Sequence, residues 1–456
     1  MKASDVAGKR FSVIGAARSG IAAAKVLKAH GATVFVSDSA PLGKMQSTAA
    51  ELARLGIPFE FGGNSANVLQ SDVIVLSPGV PFEVPIVRQA AAQGLRIVGE
   101  IEVASWFCKG KIVGITGTNG KTTTTALLGR MFEDAKAESV VAGNIGIAFS
   151  DVVDQIPERG TAILEISSFQ LDAIETFRPN VAALLNITPD HLDRYGHSME
   201  KYTASKCRIF ENQRPGDSIV YNYDDPVVRT NVEKRVHPDV RKLPFSIVTT
   251  LHEGAFVRGK SLCIRMDGHE SDIVARDDIS IKGRHNLMNA MAATLAAKAM
   301  GIPTASLRAT LKNFKGVEHR LEFVREVNGV LYVNDSKATN VDSVWYALQS
   351  FTRPIVLLLG GRDKGNDYTT LSPLVERYVK AIVAIGESAD TVLAAFAGKK
   401  PTSKAASMEE AIRQATQFAA AGDVVLLSPA CASFDWFENY EHRGKVFKDI
   451  VMKLPS

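Results

Sequence analysis

Lys111-Ile-Val-Gly-Ile-Thr-Gly-Thr-Asn-Gly-Lys-Thr-Thr-Thr-Thr125 sets the reading of the whole chain. Ile112 to Ile115 is a short apolar run, as a buried strand shows. Gly117, Asn119 and Gly120 make a turn that needs unusual backbone angles. Lys121 and Thr122 then open a helix continued by Ala126, Leu127, Leu128 and Met131. Strand, glycine-rich turn and helix form a phosphate-binding loop, because free amides and a positive helix end meet an anion. There the Lys121 ammonium bridges outer phosphates and the Thr122 hydroxyl can ligate Mg²⁺. The usual pattern opens on a glycine where this chain has Ile115. An ordinary strand-to-helix turn with a solvated lysine is the alternative.

Upstream, Phe11 to Ile14 reads as a strand, followed by Gly15-Ala16-Ala17-Arg18-Ser19-Gly20, a helix from Ile21 to Lys28, and strand Thr33 to Val36 ending at Asp38. This β-α-β opening resembles a dinucleotide fingerprint with Asp38 as the ribose acid, but Ala17 replaces the second glycine. NAD, a nucleotide sugar and a plain doubly wound fold all stay open. Strand Val73 to Leu76 runs into Ser77-Pro78-Gly79-Val80-Pro81, at the strand end where open α/β sheets bind ligands. Ile97-Val98 and a helix from Glu100 to Trp106 close this unit.

Bulk properties narrow the class. A chain of 456 residues holds about three domains. Hydrophobic residues at 46% and charged residues at 22% are ordinary for a globular protein. A net charge of +4 argues against a protein that coats nucleic acid. Cys108, Cys207, Cys263 and Cys431 are far apart, which fits a reducing cytoplasm and excludes a zinc knuckle. Arg18 and Lys25 interrupt the first apolar run, so no signal peptide is expected, and no segment reads as a membrane span.

Downstream, strand Ala162 to Glu165 places Glu165 where a Mg²⁺-ligating acid follows a phosphate loop, although an edge carboxylate in water is the plainer reading. Apolar Val181 to Ile187 ends in Thr188-Pro189-Asp190-His191-Leu192-Asp193-Arg194-Tyr195. In the next helix Lys206 shares a stripe with Tyr202, Ile209 and Phe210, so its stem either snorkels or the amine is buried. Asp217 to Asp278 is polar and strand-like without a motif. Asn286 and Asn289 share a face near the start of a long helix through Met300, where they could hold an adenine edge or cap the helix. After a boundary near Lys315-Gly316, strands ending at Val333, Leu359, Ile385 and Leu427 each lead into a polar or glycine-rich loop. Those loops should gather on one edge of a third α/β sheet.

Taken in order, Gly117 to Thr122, Glu165, Asp190-His191-Leu192-Asp193, Lys206, Gly283 to Asn289, His319-Arg320 and Asn334 to Thr339 resemble the ATP-dependent Mur ligases of bacterial peptidoglycan synthesis. These share a superfamily with folylpolyglutamate synthetase. Ser77-Pro78-Gly79, Gly143-Asn144-Ile145-Gly146, Ser167-Ser168-Phe169-Gln170-Leu171 and Ser428 to Ser433 resemble the branch that joins D-glutamate to UDP-N-acetylmuramoyl-L-alanine.

The resemblance implies an α/β protein of three domains: an N-terminal Rossmann-like UDP-binding domain at 1–106, a central ATPase-type domain at 107–316, and a C-terminal Rossmann-like amino-acid-binding domain at 317–456. It implies ATP and Mg²⁺, an acyl phosphate, and a cytoplasmic monomer that neither inserts into membrane nor binds nucleic acid. Gly117, Thr118, Asn119, Gly120, Lys121, Thr122 and Thr123 would hold the ATP phosphates, and Asn286, Asn289, Arg320 and Asp335 its adenine and ribose. Thr122, Glu165, His191 and Lys206, the last as a carbamate, would serve the metal ions. Catalysis would fall to Lys121, Glu165, His191 and Lys206. Arg18, Ser19, Ser39, Ser77, Gly79 and Asn144 would hold the UDP-sugar, and Lys337, Thr339, Lys364, Ser433 and Tyr440 the D-glutamate. The chain departs from the family in Ala40, where an arginine is expected near the diphosphate, and in Tyr440, where phenylalanine is commoner.

Overall fold

Short Val, Ile and Leu runs, each bounded by glycine or polar turns, become strands buried on both faces, as parallel sheets require. The computed structural model describes residues 1–144, 146–363 and 365–455. It packs as two compact units, Met1–Asp278 with Met288–Lys312, and Ile279–Leu287 with Asn313–Ser456. Three sheets make three α/β domains along the chain.

The first sheet joins β1 (Arg10–Ile14), β2 (Thr33–Asp38), β3 (Phe59–Phe61), β4 (Val73–Leu76) and β5 (Arg96–Gly99). Their order is β3-β2-β1-β4-β5, all parallel. The expected first helix spans Arg18–Ala29. Gly20 brings it close to the sheet, since a Cβ there would lie 1.9 Å from the Gly15 carbonyl oxygen.

The second sheet contains β6 (Lys111–Thr116), β7 (Ser139–Gly143), β8 (Thr161–Glu165), β9 (Val181–Leu184), β10 (Ser218–Asn222), β11 (Arg241–Ser246), β12 (Gly254–Arg258), β13 (Ser261–Met266) and β14 (His269–Ala275). The order is β14-β13-β12-β11-β10-β9-β6-β8-β7. Only the β12–β13 and β13–β14 pairs are antiparallel. The motif-free polar stretch after Asp217 thus widens the second sheet with a ribbon. β9 is shorter than expected because the chain after Leu184 turns to meet the glycine-rich loop. Ile115 pairs with Glu165 and with Ala183, so the loop after β6 emerges between the ends of β8 and β9.

The second unit carries β15 (Glu322–Val327), β16 (Val330–Asn334), β17 (Ile355–Gly360), β18 (Val379–Ile385), β19 (Thr402–Lys404) and β20 (Val424–Leu427), in the order β15-β16-β20-β17-β18-β19. All pairs but β15–β16 are parallel. The loops after β16, β17, β18 and β20 therefore share one edge, as the sequence implied. Among the described residues no helix is long and apolar enough to cross a membrane.

Candidate functional site

The turn after β6 is pinned from the segment that follows β9. The Thr118 amide donates to the Asn186 carbonyl at 3.0 Å, and the Asn119 amide to Asn186 Oδ1 at 2.8 Å. The Thr118 hydroxyl donates to the Thr188 carbonyl at 3.0 Å and lies 3.2 Å from the Tyr202 hydroxyl. Gly120, with φ at +85°, sits just before the helix Lys121–Asp134; a Cβ on it would lie 2.3 Å from Asn289 Oδ1. Only glycine fits there. Lys121 Nζ donates to the carbonyls of Gly117 and Thr118 at 2.8 and 2.7 Å. Thr122 and Thr123 are buried in the first helical turn.

Glu165 ends β8 and is buried. One carboxylate oxygen accepts from Asn144 Nδ2 at 2.9 Å, and the other, Oε2, is buried with no hydrogen-bond partner. The Asn144 amide also donates to the Glu165 carbonyl at 2.8 Å. Lys206 is 2% exposed, so the buried alternative holds over a snorkelling stem. Its Nζ donates to the Gly117 carbonyl at 2.9 Å and lies 4.7 Å from the Tyr202 ring centre. Burial, reinforced by the charge of Lys121, pushes its pKa far below the usual lysine range. His191 is exposed, in left-handed backbone at φ +52°, edge-on to Phe169 at 5.1 Å. The site thus gathers Lys121, Thr122, Glu165 and Lys206 around the turn. Asn186 and Tyr202 were missed as site residues; a polar residue just past an apolar strand is the signal that marks Asn186.

In the first sheet Ser77 is buried and its hydroxyl donates to the Gly15 carbonyl at 2.7 Å. Asp38 accepts from the amides of Ala16 and Ala40 at 2.6 and 2.8 Å. Its carboxylate thus braces the glycine-rich turn. The Arg18 guanidinium donates to the carbonyls of Gly146 and Asn144, holding the turn to the loop after β7. Ser19 lies in the first turn of its helix, Ser39 is exposed after β2, and Gly79 is exposed after β4. Ala16, Arg18, Lys25, Asp38 and Asp151 line a cavity of about 490 Å³ here.

In the second unit Asp335 is buried at the end of β16. It accepts from the Ser428 hydroxyl at 2.8 Å and the Leu321 amide at 3.2 Å. Burial raises its pKa to about 6 against the lowering effect of Arg320. Arg320 stands between His319 and Leu321, both at positive φ, and its Nε is buried without a partner. Non-glycine residues in that region mark strain held by surrounding structure. Asn286 Nδ2 donates to the Lys282 carbonyl at 2.9 Å. Lys337 Nζ lies 5.2 Å from the Tyr440 ring centre, Thr339 is half-buried, and Ser433 is buried. Arg443, 1% exposed, ties these loops together: its guanidinium donates to Ser336 Oγ and to the carbonyls of Ser336, Cys431 and Ala432. Burial lowers its pKa to about 10. Lys364, expected at this edge, lies outside the described residues, as does Ile145.

Comparison with known proteins follows the same order along the chain. The MurD-like N-terminal domain of Mur ligases matches residues 9–99, the Mur ligase middle domain 115–297, and the Mur ligase glutamate ligase domain 319–431. A Salinibacter ruber protein named UDP-N-acetylmuramoylalanine--D-glutamate ligase is 50% identical, with all of both chains covered. The structure of a pseudomurein peptide ligase type C from Methanothermus fervidus superposes with a TM-score of 0.62 at 19% identity, over 98% of this chain and 100% of that one. A MurF ligase from Thermotoga maritima, in complex with ADP, gives 0.60 at 18% identity, over 92% and 95%. With its glycine-rich turn, Glu165 and Lys206 inside the middle-domain match, and half its residues shared with the Salinibacter protein, this chain belongs to the Mur ligase family.

Proposed function

We propose that this chain joins D-glutamate to UDP-N-acetylmuramoylalanine, with ATP split to ADP and phosphate, as a cytoplasmic monomer acting in peptidoglycan synthesis. The observation that carries the chemistry is the buried Glu165 Oε2, left without a partner beside a phosphate-type loop. The substrate assignment rests on the name borne by the Salinibacter relative, and the use of ATP on the ADP complex of the Thermotoga one. We divide the chain at 1–106, 107–316 and 317–456.

The donors suit Mg²⁺, a hard ion that takes carboxylate and hydroxyl oxygens. Glu165 and Thr122 would hold one ion, and His191 and Lys206, as its carbamate, a second. Bound there, Mg²⁺ would neutralise charge on the transferring phosphoryl group. Lys121 would turn from the Gly117 and Thr118 carbonyls to phosphate oxygens. The substrate carboxylate attacks the γ-phosphorus of ATP, ADP leaves, and an acyl phosphate forms. The D-glutamate amine then attacks the acyl carbon, loses a proton, and phosphate leaves as the amide forms. Gly117 to Thr123 bind the phosphates, while Asn286, Asn289, Arg320 and Asp335 take adenine and ribose. Arg18, Ser19, Ser39, Ser77, Gly79 and Asn144 hold the UDP-sugar. Lys337, Thr339, Lys364, Ser433 and Tyr440 take the two carboxylates of D-glutamate, for which cations and hydroxyls are suited.

Phosphate release with ATP, Mg²⁺ and UDP-N-acetylmuramoyl-L-alanine tests this, with amino acids added singly and L-glutamate as control. Release with D-glutamate alone supports the reading. Release with another amino acid changes the substrate, and no release with any overturns the ligase.

A further inference from the structure

The segment after β4 and the turn that carries His191 meet through one half-buried side chain. Arg194 Nη2 donates to the Val80 carbonyl at 3.0 Å and Nη1 to the Gly79 carbonyl at 3.4 Å. Its guanidinium lies over the Phe169 ring, with Cζ 4.2 Å from the centroid. Phe169 in turn meets His191 edge-on, and the Arg194 amide donates to the His191 carbonyl at 3.1 Å.

The arrangement fixes a peptide plane. The unit between Gly79 and Val80 is held at its oxygen by Arg194 and at its amide by the Ser77 carbonyl, 2.9 Å away. Gly79 has no side chain to restrict it, so those two bonds set its direction. Arg194 also lines a cavity of about 760 Å³ with Phe82, Asp172, Asp193, Tyr195 and Lys201, so it bridges a gap that packing does not fill. The forked, planar guanidinium can reach two successive carbonyls while its face stacks on a ring; an ammonium cannot do both.

We infer that Arg194 is a positioning residue, a strut that sets the Gly79–Val80 loop against the His191 turn and so places the UDP-sugar relative to the phosphoryl-transfer centre. This rests on the reading above, in which Gly79 holds the UDP-sugar and His191 serves a metal ion. In this reading Arg194 acts through Gly79, whose carbonyl it holds, and through the His191 turn.

The test compares wild type, Arg194→Ala and Arg194→Lys by steady-state kinetics, thermal unfolding, and deuterium exchange of the amides in residues 77–84. Both variants should raise KM for UDP-N-acetylmuramoyl-L-alanine about tenfold and leave KM for ATP within about twofold, for a lost pair of hydrogen bonds and a stack. Exchange across 77–84 should rise, and exchange across 117–122 should not. Unchanged KM for the UDP-sugar with unchanged exchange would overturn the strut, as would full recovery by lysine. If wild type itself releases no phosphate, the ligase reading fails, and exchange across 77–84 alone then decides the strut.

Discussion

Lys121 and Lys206 donate to a single atom, the carbonyl oxygen of Gly117, at 2.8 and 2.9 Å. Two ammonium groups on one carbonyl repel each other, and Lys206 is the one that gives way. Burial and the neighbouring charge drive it toward the neutral amine. A neutral amine is a nucleophile: it can add to carbon dioxide, forming an N–C bond and losing a proton, and leave an anionic carbamate. The repelling pair then becomes an attracting one at the mouth of the loop.

Lys206→Ala should therefore lower kcat for phosphate release by about a hundredfold or more, the scale of losing one charge-stabilising group. Acetate or another short carboxylate should restore part of it by filling the vacated space. Steady-state assays with and without the supplement check this, and full unsupplemented activity would refute the carbamate.

Gly120→Ala should weaken ADP binding by about tenfold or more, because the added methyl meets Asn289 Oδ1 and the residue needs a left-handed backbone. Calorimetric titration with ADP and Mg²⁺ reads this directly. Fold stability should fall as well, by about 1–2 kcal/mol in thermal unfolding, because the left-handed backbone and the overlap with Asn289 are present without ligand.

Glu100 gives a pH dependence with a definite sign. Burial raises its carboxyl from 4.5 to about 7, although the Ser150 amide donates to Oε1 at 2.7 Å. Between those pH values the folded chain keeps a proton that the unfolded chain has released, so stability falls as pH rises through the window. Glu100→Gln should remove that slope and stabilise the protein at pH 8 by up to about 3 kcal/mol, with little gain at pH 4. Thermal unfolding at the two pH values measures it.

Glu102 behaves in the opposite way. Burial opposes its charge, but Trp106 Nε1, the amides of Glu175, Thr176 and Phe177 and the Thr176 hydroxyl all donate to the carboxylate and keep its pKa below the usual value. Its contribution is present above pH 4.5 and is lost as pH falls through the lowered pKa. Glu102→Ala should cost about 3 kcal/mol at pH 7 by urea unfolding, since several buried donors lose their acceptor.

These two glutamates show where the sequence was silent. A helix from Glu100 to Trp106 was legible, but nothing in its local pattern marks the two glutamates as buried. Their burial depends on amides at 150 and 175–177 that no local pattern reveals. Asp38 carried the same ambiguity: its distance from the glycine-rich turn suggested a ribose, and only the folded chain shows it accepting from two backbone amides. The strand–turn–helix at Lys111 to Thr125, the position of Glu165 at a strand end and the four loop-bearing parallel strands of the third sheet were legible because strand ends and glycine turns are local signals, whereas the burial of Glu165 replaces the plainer reading of an edge carboxylate in water. For Lys206 the apolar helical stripe left a snorkelling stem and a buried amine both open, and the fold decides for burial. Arg443 was not legible, since an arginine in the helix Tyr440–Met452 bonds across the fold to Ser336, 107 residues away in sequence.

The helix Glu100–Phe107 also limits how this protein can be taken apart. The first sheet has its own strands, but the last helix of that region presents Glu102 to backbone amides of the next region and Glu100 to the amide of Ser150. A fragment cut after Phe107 would carry two carboxylates on a mostly apolar helix with most of their donors gone. The N-terminal region is thus not a portable module. Grafting it between relatives requires moving the 150 and 175–177 turns with it, so the unit of exchange is the pair of regions.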